Sequence, residues 1–374
     1  MINRPTIFSF FSGAGFLDLG FEMSGYKIAY VNEIHPPFME TYQYSRKILN
    51  LPTPLFGYNQ GDVALLIEGG NKQHLKKLVE NVRKTNSIIG FIGGPPCPDF
   101  SVAGKNRGHE GDNGKLSATY VQLICQQKPD FFLFENVKGL WRTKKHRAFF
   151  EEMKMKLHEA GYVTTERLIN TIEYGVPQER ERIILIGFQK KLLKKLSINV
   201  DSEMLPEGIF PWGKYIKYPL EKINFYSWPI TNAFMLDSES NCPVNIPREL
   251  TIQHWFELNK VLDHPNAKNC FAARAGLARF LVIDEGDVCK KSYKRLHRWR
   301  YSPTACYGNN EVHLHPYKAR RISVAEALAI QSMPKEYALP PNLTLSNMFK
   351  TVGNGVPYIA AKAIAQTIFD FLKI

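Results

Sequence analysis

The chain has 374 residues, 44% of them hydrophobic and 22% charged, and a formal net charge of +13 at pH 7. This composition excludes a disordered chain, and no apolar run reaches the roughly 18 residues that a membrane-spanning helix needs. The length favours two domains or one large domain with an insertion, and the basic charge favours nucleic acid as a partner over a merely basic protein without one.

The amino-terminal residues lack a signal-peptide cleavage pattern and lead directly into strand-like sequence. The six cysteines, at positions 97, 125, 242, 270, 289 and 306, form no CxxC pair. These features predict a cytoplasmic protein with free thiols and neither a structural metal site nor a disulfide framework.

Short apolar strands alternate with helices through the first 190 residues, as in a doubly wound α/β sheet. Strands are predicted at 6–11, 27–32, 87–92, 130–134 and 182–188, with helices at 16–24 and up to about residue 127. Regular alternation is lost from 189 to 320, and helices are predicted again at 323–331 and 357–372. We therefore expect a catalytic domain at 1–188, a second, smaller domain at 189–320 and a C-terminal segment at 321–374 that returns to the first domain.

A glycine turn, FSGAGFLDLGFE at 11–22, follows the first predicted strand. Gly13 and Gly15 would let the backbone approach a ligand at the start of the next helix. Glu33 ends the second strand about 20 residues later, where nucleotide-binding folds place a carboxylate that binds ribose hydroxyls. Asp62 either ends a third strand and receives an adenine amino group or is a solvated acid. An adenosine-containing cofactor is the interpretation we favour.

Cys97 lies in the segment GGPPCPDFS at 93–101, after the strand at 87–92. The stretch alone fits a buried structural cysteine as well as a reactive thiol. Ligands of open α/β sheets bind at the carboxyl ends of the strands. Cys97 should therefore face the same crevice as Gly13 and Glu33. Glu135, in FENV, should end the neighbouring strand and pair a carboxylate with this thiol. The charged, glycine-rich segment 102–115 is predicted to be a loop that closes over substrate.

Arg180 and Arg182 alternate with glutamates in QERERI at 178–183, so both should point to one face of a strand. They are either a solvated strand end or a clamp for an anionic or carbonyl-bearing substrate. A second basic stretch, KKSYKRLHRWR at 290–300, is predicted to contact phosphates.

As a set, these segments resemble the cytosine-C5 DNA methyltransferases, the S-adenosylmethionine-dependent family of bacterial restriction–modification systems. The matching segments are FSGAGFLDLGFE, VNE at 31–33, GDV at 61–63, GGPPCPDFS, FENV, QERER, RRISVAEALAIQSMP at 320–334 and GNGVP at 353–357. The chain departs from the family in two places: Pro98 replaces the usual Gln, and Gly355 turns the usual GNS into GNG.

The resemblance implies a Rossmann-like methyltransferase sheet with a smaller target-recognition domain. It also implies that the Cys97 thiolate adds to C6 of a flipped cytosine, Glu135 holds the N3 edge, Arg182 contacts the carbonyl and Arg180 makes a supporting phosphate or loop contact. The S-adenosylmethionine contacts carried over are Phe11, Gly13, Ala14, Gly15, Glu33, Ile34, Asp62, Val63, Pro95, Leu116 and Asn354.

Double-stranded DNA is the implied partner, and a cognate restriction endonuclease would act on the same site without necessarily binding the enzyme. The predicted DNA contacts are Ser101, Lys105, Arg107, Lys290, Lys291, Lys294, Arg295, Arg298 and Arg300, with base-reading residues among 301–315. Three alternatives stay open: a tRNA cytosine-C5 methyltransferase of the same fold, a nucleotide-dependent oxidoreductase and an inactive DNA-binding relative. The long variable region favours duplex DNA over tRNA.

Overall fold

A single seven-stranded sheet organises the part of the chain that the computed structural model describes, which is residues 4–96, 112–273, 276–290, 292–305, 307 and 311–372. The spatial order is β3-β2-β1-β4-β5-β7-β6. Strands β1 to β5 pair in parallel, whereas β7 runs antiparallel to both of its neighbours. The strands are β1 Thr6–Phe10, β2 Lys27–Glu33, β3 Tyr58–Gln60, β4 Ile89–Gly93, β5 Phe131–Val137, β6 Tyr162–Asn170 and β7 Glu181–Gln189.

Helices cover both faces of this sheet and continue beyond it. Those of the sheet region are α1 Phe16–Glu22, α2 Pro36–Ile48, α3 Gly69–Arg83, α4 Asp112–Gln127, α5 Lys138–Arg142, α6 Lys144–Glu159 and α7 Lys190–Lys195. Those that follow are α8 Leu220–Phe225, α9 Ile252–Leu258, α10 Leu277–Leu281, α11 Val324–Ile330, α12 Leu345–Asn354 and α13 Tyr358–Phe371. None of the helices described here is long and apolar enough to cross a membrane.

Side chains of the central strands enter two different cores because successive residues of a strand point to opposite faces. Ile7 packs with α13 on one face, and Phe8 packs with α3 and α4 on the other. Both faces of β1 and β4 are buried throughout, which explains why their sequences are nearly continuous apolar runs. The predicted doubly wound α/β architecture is confirmed.

A third core joins the start of α1 to the last third of the chain. Phe16 and Leu19 pack there with α9, α11 and α12. The C-terminal helix α13 also lies against α1, so closely that a Cβ on Gly20 would come within 2.7 Å of Ala361. Helix α1, which begins directly after the glycine turn, therefore packs against this third core and also against α13.

Residues just beyond the predicted boundary at 188/189 share the core of the sheet. Leu205 and Phe210 are buried in the same cluster as Ile7, and Trp212 packs against it. The backbone of Leu205 donates to the carbonyl of Thr164 in β6 at 2.8 Å. The division into three segments stays a prediction, and these contacts place 205–212 with the sheet.

Candidate active site

The turn after β1 has a backbone conformation that favours glycine. Gly13 has φ 55°, Gly15 has φ 80° and Phe11 has φ 53°, all in the left-handed region. A Cβ on Gly13 would have no neighbour within 4 Å, whereas a Cβ on Gly15 would lie 2.5 Å from the ring of Tyr42. Gly13 thus leaves open space at the strand edge, and Gly15 permits close packing beneath it.

Glu33 joins this turn to the end of β2. Its carboxylate accepts hydrogen bonds from the backbone N–H of Gly13 at 2.9 Å and of His35 at 2.8 Å. The residue is 6% exposed, and its own carbonyl accepts from Gly61 N–H at 3.1 Å. The neighbouring Ile34 is exposed. The end of β2 therefore holds a fixed carboxylate between two loops, where the sequence predicted it.

Asp62 follows β3 and caps the short turn of 3₁₀ helix Val63–Leu66, where its side chain accepts from Ala64 N–H at 2.9 Å. Val63 points into the core between the sheet and α3. Because Gly61 is bonded to Glu33, the two acids belong to adjacent loops at the same edge of the sheet.

The remaining predicted cofactor contacts lie around the same crevice. Ala14 is buried, and its carbonyl accepts from the Tyr337 hydroxyl at 2.7 Å. The Pro95 carbonyl accepts from the side chain of Asn136 in β5 at 3.4 Å. Leu116 is half-buried in α4, and Asn354 is the exposed last residue of α12.

These residues fit an adenosine-containing cofactor. The open space at Gly13 and the buried Glu33 carboxylate are what a ribose diol bound at this edge requires. In addition, the buried hydroxyl of Ser12 has no hydrogen-bond partner among the described residues. A buried polar atom without a partner is uncommon and is consistent with a ligand that completes the site.

Glu135 and Arg182 form an ion pair, with Arg182 Nε 2.9 Å from Glu135 Oε1 and both side chains largely buried. The antiparallel direction of β7 brings these two side chains together. Arg182 lies near the start of β7, and because β7 is antiparallel to β5 this start lies at the carboxyl edge, opposite Val137. A Cβ on Gly94 would come within 2.7 Å of Glu135 Oε2, so glycine after β4 leaves room for the carboxylate.

The segment that contains Cys97 lies outside the described residues. So do the substituted position Pro98, most of the predicted loop, and the predicted DNA contacts Ser101, Lys105 and Arg107.

Arg180 makes the loop contact that was one of its two predicted roles. It is 2% exposed, and its guanidinium donates to the carbonyls of Ala305 at 3.3 Å and Gly353 at 3.0 Å. Its guanidinium is buried within the protein here, and the other role, a phosphate contact, stays a prediction.

Sequence reasoning missed the partners of this loop. Gln178, fully buried, accepts from Ala305 N–H at 3.1 Å through its side-chain oxygen. The Thr304 hydroxyl donates to the carbonyl of Glu179 at 2.7 Å. The segment QERER therefore anchors residues 302–305 as well as supplying Arg182. In the sequence, a contact of this kind could have been predicted from Gln178, the first residue of that motif.

Two arginines of the basic stretch are buried at positions where the sequence predicted DNA contacts. Arg295 is fully buried, donates to the carbonyls of Ile283 and Phe280, and has a pKa that burial lowers to about 10. Arg298 is buried against Glu285 at 2.8 Å. Burial alone would raise the pKa of Glu285, but the hydrogen bonds from Arg298 hold it below its usual range.

The other cations of that stretch keep contact with solvent. Lys290 is exposed, Lys294 and Arg300 are half-buried, and Lys291 lies outside the described residues. Arg300 lies over the ring of Tyr301, with its Cζ 5.3 Å from the ring centroid. These side chains remain candidates for phosphate contacts.

Gly355, which stands where the family usually has the serine of GNS, has a steric explanation. A Cβ on Gly355 would lie 2.2 Å from Cδ2 of Phe16, whose ring is buried and packs edge-on against Tyr337. A serine at position 355 would collide with this ring. Phe16 and Gly355 therefore form a matched pair between α1 and the C-terminal segment.

The fold and this site define a Rossmann-like methyltransferase domain. The family model for C-5 cytosine-specific DNA methylases matches residues 6–370. The Type II methyltransferase M.NmeDI of Neisseria meningitidis serogroup C is 58% identical over 99% of this chain and 85% of its own length. M.NgoPII of Neisseria gonorrhoeae is 35% identical over 99% of this chain and 97% of its own length.

A solved structure shares the fold. A DNA modification methyltransferase encoded within an E. coli prophage superposes with a TM-score of 0.65 at 20% identity, covering 99% of this chain and 100% of its own. The chain belongs to the C-5 cytosine-specific DNA methylase family and is a DNA cytosine-C5 methyltransferase. The oxidoreductase alternative is wrong, and the Type II relatives favour DNA over tRNA.

Proposed function

We propose that this enzyme methylates a cytosine that is flipped out of a specific duplex sequence and held in a covalent adduct with Cys97. The observation that carries this proposal is the Glu135–Arg182 pair, which lies at the carboxyl edge of the sheet and is separated from the glycine turn after β1 by the single strand β4. A carboxylate and a guanidinium together match the N3 edge and the carbonyl of a cytosine.

Three residues share the chemistry. The Cys97 thiolate adds to C6, which raises the electron density at C5. Glu135 hydrogen-bonds the N3 and amino edge, and Arg182 orients Glu135 while it binds the carbonyl oxygen. After methyl transfer a base removes the C5 proton, the C5–C6 double bond re-forms and Cys97 leaves as thiolate.

S-adenosylmethionine supplies an electrophilic methyl group when it is bound. The proposed holders of its ribose and adenine are Glu33 and Asp62, with Gly13 leaving room for the ligand beside the backbone. Phe11, Ala14, Gly15, Ile34, Val63, Pro95, Leu116 and Asn354 complete the proposed contact set.

Duplex DNA hides C5 and C6 in the base stack, so the target nucleotide must be extruded at a cost of a few kcal/mol. Phosphate contacts from Lys290, Lys294 and Arg300 would offset part of this cost. We propose that the enzyme acts in the bacterial cytoplasm as the modifying partner of a restriction endonuclease that cuts the same sequence.

Methyl transfer from labelled S-adenosylmethionine to duplex DNA and to tRNA tests the substrate. Cys97→Ser should abolish transfer while DNA binding is kept, and Cys289→Ser, at an exposed cysteine, is the control. DNA that carries 5-fluorocytosine at the target should trap an adduct that survives denaturing electrophoresis. Normal turnover by Cys97→Ser would refute the assignment of the nucleophile.

A further inference from the structure

A buried carboxylate lies beneath the cofactor turn and has no role in the proposed chemistry. Asp18, in α1, is 1% exposed. It accepts hydrogen bonds from the Ser9 hydroxyl of β1 and from the Tyr42 hydroxyl of α2, both at 2.8 Å. A carboxylate is costly to bury, and two short hydrogen bonds are the usual compensation.

The Asp18–Tyr42 hydrogen bond is one of a series of side-chain contacts between α1 and α2. Arg46, four residues after Tyr42, donates to the Tyr42 hydroxyl at 3.2 Å and to both oxygens of Glu22 at 2.8 and 2.6 Å. Glu22 is in turn four residues after Asp18. Residues four apart share one face of a helix, so Asp18 and Glu22 face Tyr42 and Arg46 along the length of the two helices.

These two helices carry the two walls of the cofactor crevice. Helix α1 begins after the glycine turn, and α2 begins after Glu33 and His35. The Glu33 carboxylate spans the gap between Gly13 and His35, so a shift between the helices would open its two hydrogen bonds. The Tyr42 ring also supports Gly15, which has room for no side chain of its own.

We propose that Asp18 and Tyr42 are positioning residues that set the width of the cofactor crevice and hence the affinity for S-adenosylmethionine. This inference rests on the proposed cofactor site. Both residues are buried beneath the glycine turn, and in this proposal they act through that turn and through Glu33.

Tyr42→Phe is the sharpest test because it removes the hydroxyl and keeps the ring against Gly15. The variant loses the hydrogen bond that the hydroxyl donates to Asp18 and the one it accepts from Arg46. The expected result is a rise of about three- to tenfold in KM for S-adenosylmethionine and in the Kd for S-adenosylhomocysteine measured by calorimetry. The kcat at saturating cofactor and the Kd for DNA should stay within about twofold.

Tyr26→Phe is the matched control. Tyr26 is equally buried, and its hydroxyl donates to the carbonyl of Ala365 in α13 at 3.0 Å, at the opposite end of β2. It should also lower Tm, but it should leave both cofactor constants unchanged. Equal cofactor constants in the two variants would overturn the proposal.

Asp18→Asn provides a second, isosteric route if Tyr42→Phe folds poorly. It should weaken S-adenosylhomocysteine binding in the same direction, and an unchanged Kd would overturn the proposal. A wild-type protein that binds S-adenosylhomocysteine but transfers no methyl group to DNA would instead overturn the proposed function, because cofactor binding is measured without DNA.

Discussion

Glu135 is the residue whose removal separates catalysis from folding most cleanly. Glu135→Gln keeps the size of the side chain but loses the charge that pairs with Arg182 at 2.9 Å. Because a glutamine lacks the carboxylate that hydrogen-bonds the N3 and amino edge of the cytosine, we expect the single-turnover methylation rate to fall by about a hundredfold or more. DNA binding, followed by fluorescence anisotropy, should be kept.

Glu181→Gln is the control for that loss. Glu181 opens β7 and pairs with Lys138 at 2.5 Å, also as a carboxylate–cation pair at the edge of the sheet. It is more exposed than Glu135, so its neutralisation should leave the methylation rate within about twofold. An equal loss of rate in both variants would contradict a catalytic role for Glu135.

At the residue scale, the sequence predicted the acids at strand ends but not which cations of the basic stretch are buried. Glu33 and Glu135 could be placed because parallel strands share one carboxyl edge. Arg295 and Arg298 could not be distinguished from Lys290, because their burial depends on Phe280 and Glu285 from other parts of the chain. The Asp18–Tyr42 contact was hidden for the same reason.

Elements with continuous apolar runs were predicted, and those with mixed sequences were not. Strands β1, β2 and β4 lie within two residues of their predicted ends. Strand β6 was missed because its sequence YVTTERLIN carries two charged residues, and the partner of one of them, Lys154 of α6 at 2.9 Å from Glu166, is known only from the fold. The reversal of β7, which brings Arg182 to Glu135, has no signature in its residues.

The contact between α1 and the segment after α12 gives a prediction at this scale. Gly355→Ser places a side chain on the Phe16 ring and should lower the free energy of unfolding by about 1–3 kcal/mol. Phe16→Ala should cost about 3–5 kcal/mol by itself. In the double variant the serine enters the vacated space, so urea denaturation should show a loss smaller than the sum.

Gly213→Ser serves as the control, since a Cβ there would have no neighbour within 4 Å. Its effect should be within about 0.5 kcal/mol of zero. If the losses of Gly355→Ser and Phe16→Ala simply add, the two residues do not constrain each other and the steric account of GNG is wrong.

For the whole molecule, the net charge of +13 makes DNA binding dependent on salt. The variant that carries Lys290→Gln and Lys294→Gln should reduce the slope of log K against log salt by about two, one for each phosphate contact. Lys76→Gln with Lys77→Gln, at two exposed lysines of α3, is the control of equal charge. Equal slopes for the two double variants would remove the predicted contacts.

Buried histidines make the stability of the whole fold depend on pH in the acid range. Burial lowers the pKa of His264, His297, His313 and His315, and that of His313 falls to about 3. Below about pH 6.5 the unfolded chain binds protons that these buried rings do not, so stability is present above that pH and is lost as the pH falls. Asp18 opposes this trend, because burial raises its pKa to about 6 and the folded state takes up that proton first.

We therefore expect the free energy of unfolding, measured by urea titration, to be lower at pH 5.5 than at pH 7.5. A ring that stays neutral over this range contributes about 1.4 kcal/mol to the difference. His313→Gln should remove that contribution and reduce the pH dependence by about this amount, whereas His74→Gln, at an exposed position in α3, should leave it unchanged. If His313→Gln keeps the full pH dependence, the ring at 313 takes up its proton in the folded state and is not the source of the acid sensitivity.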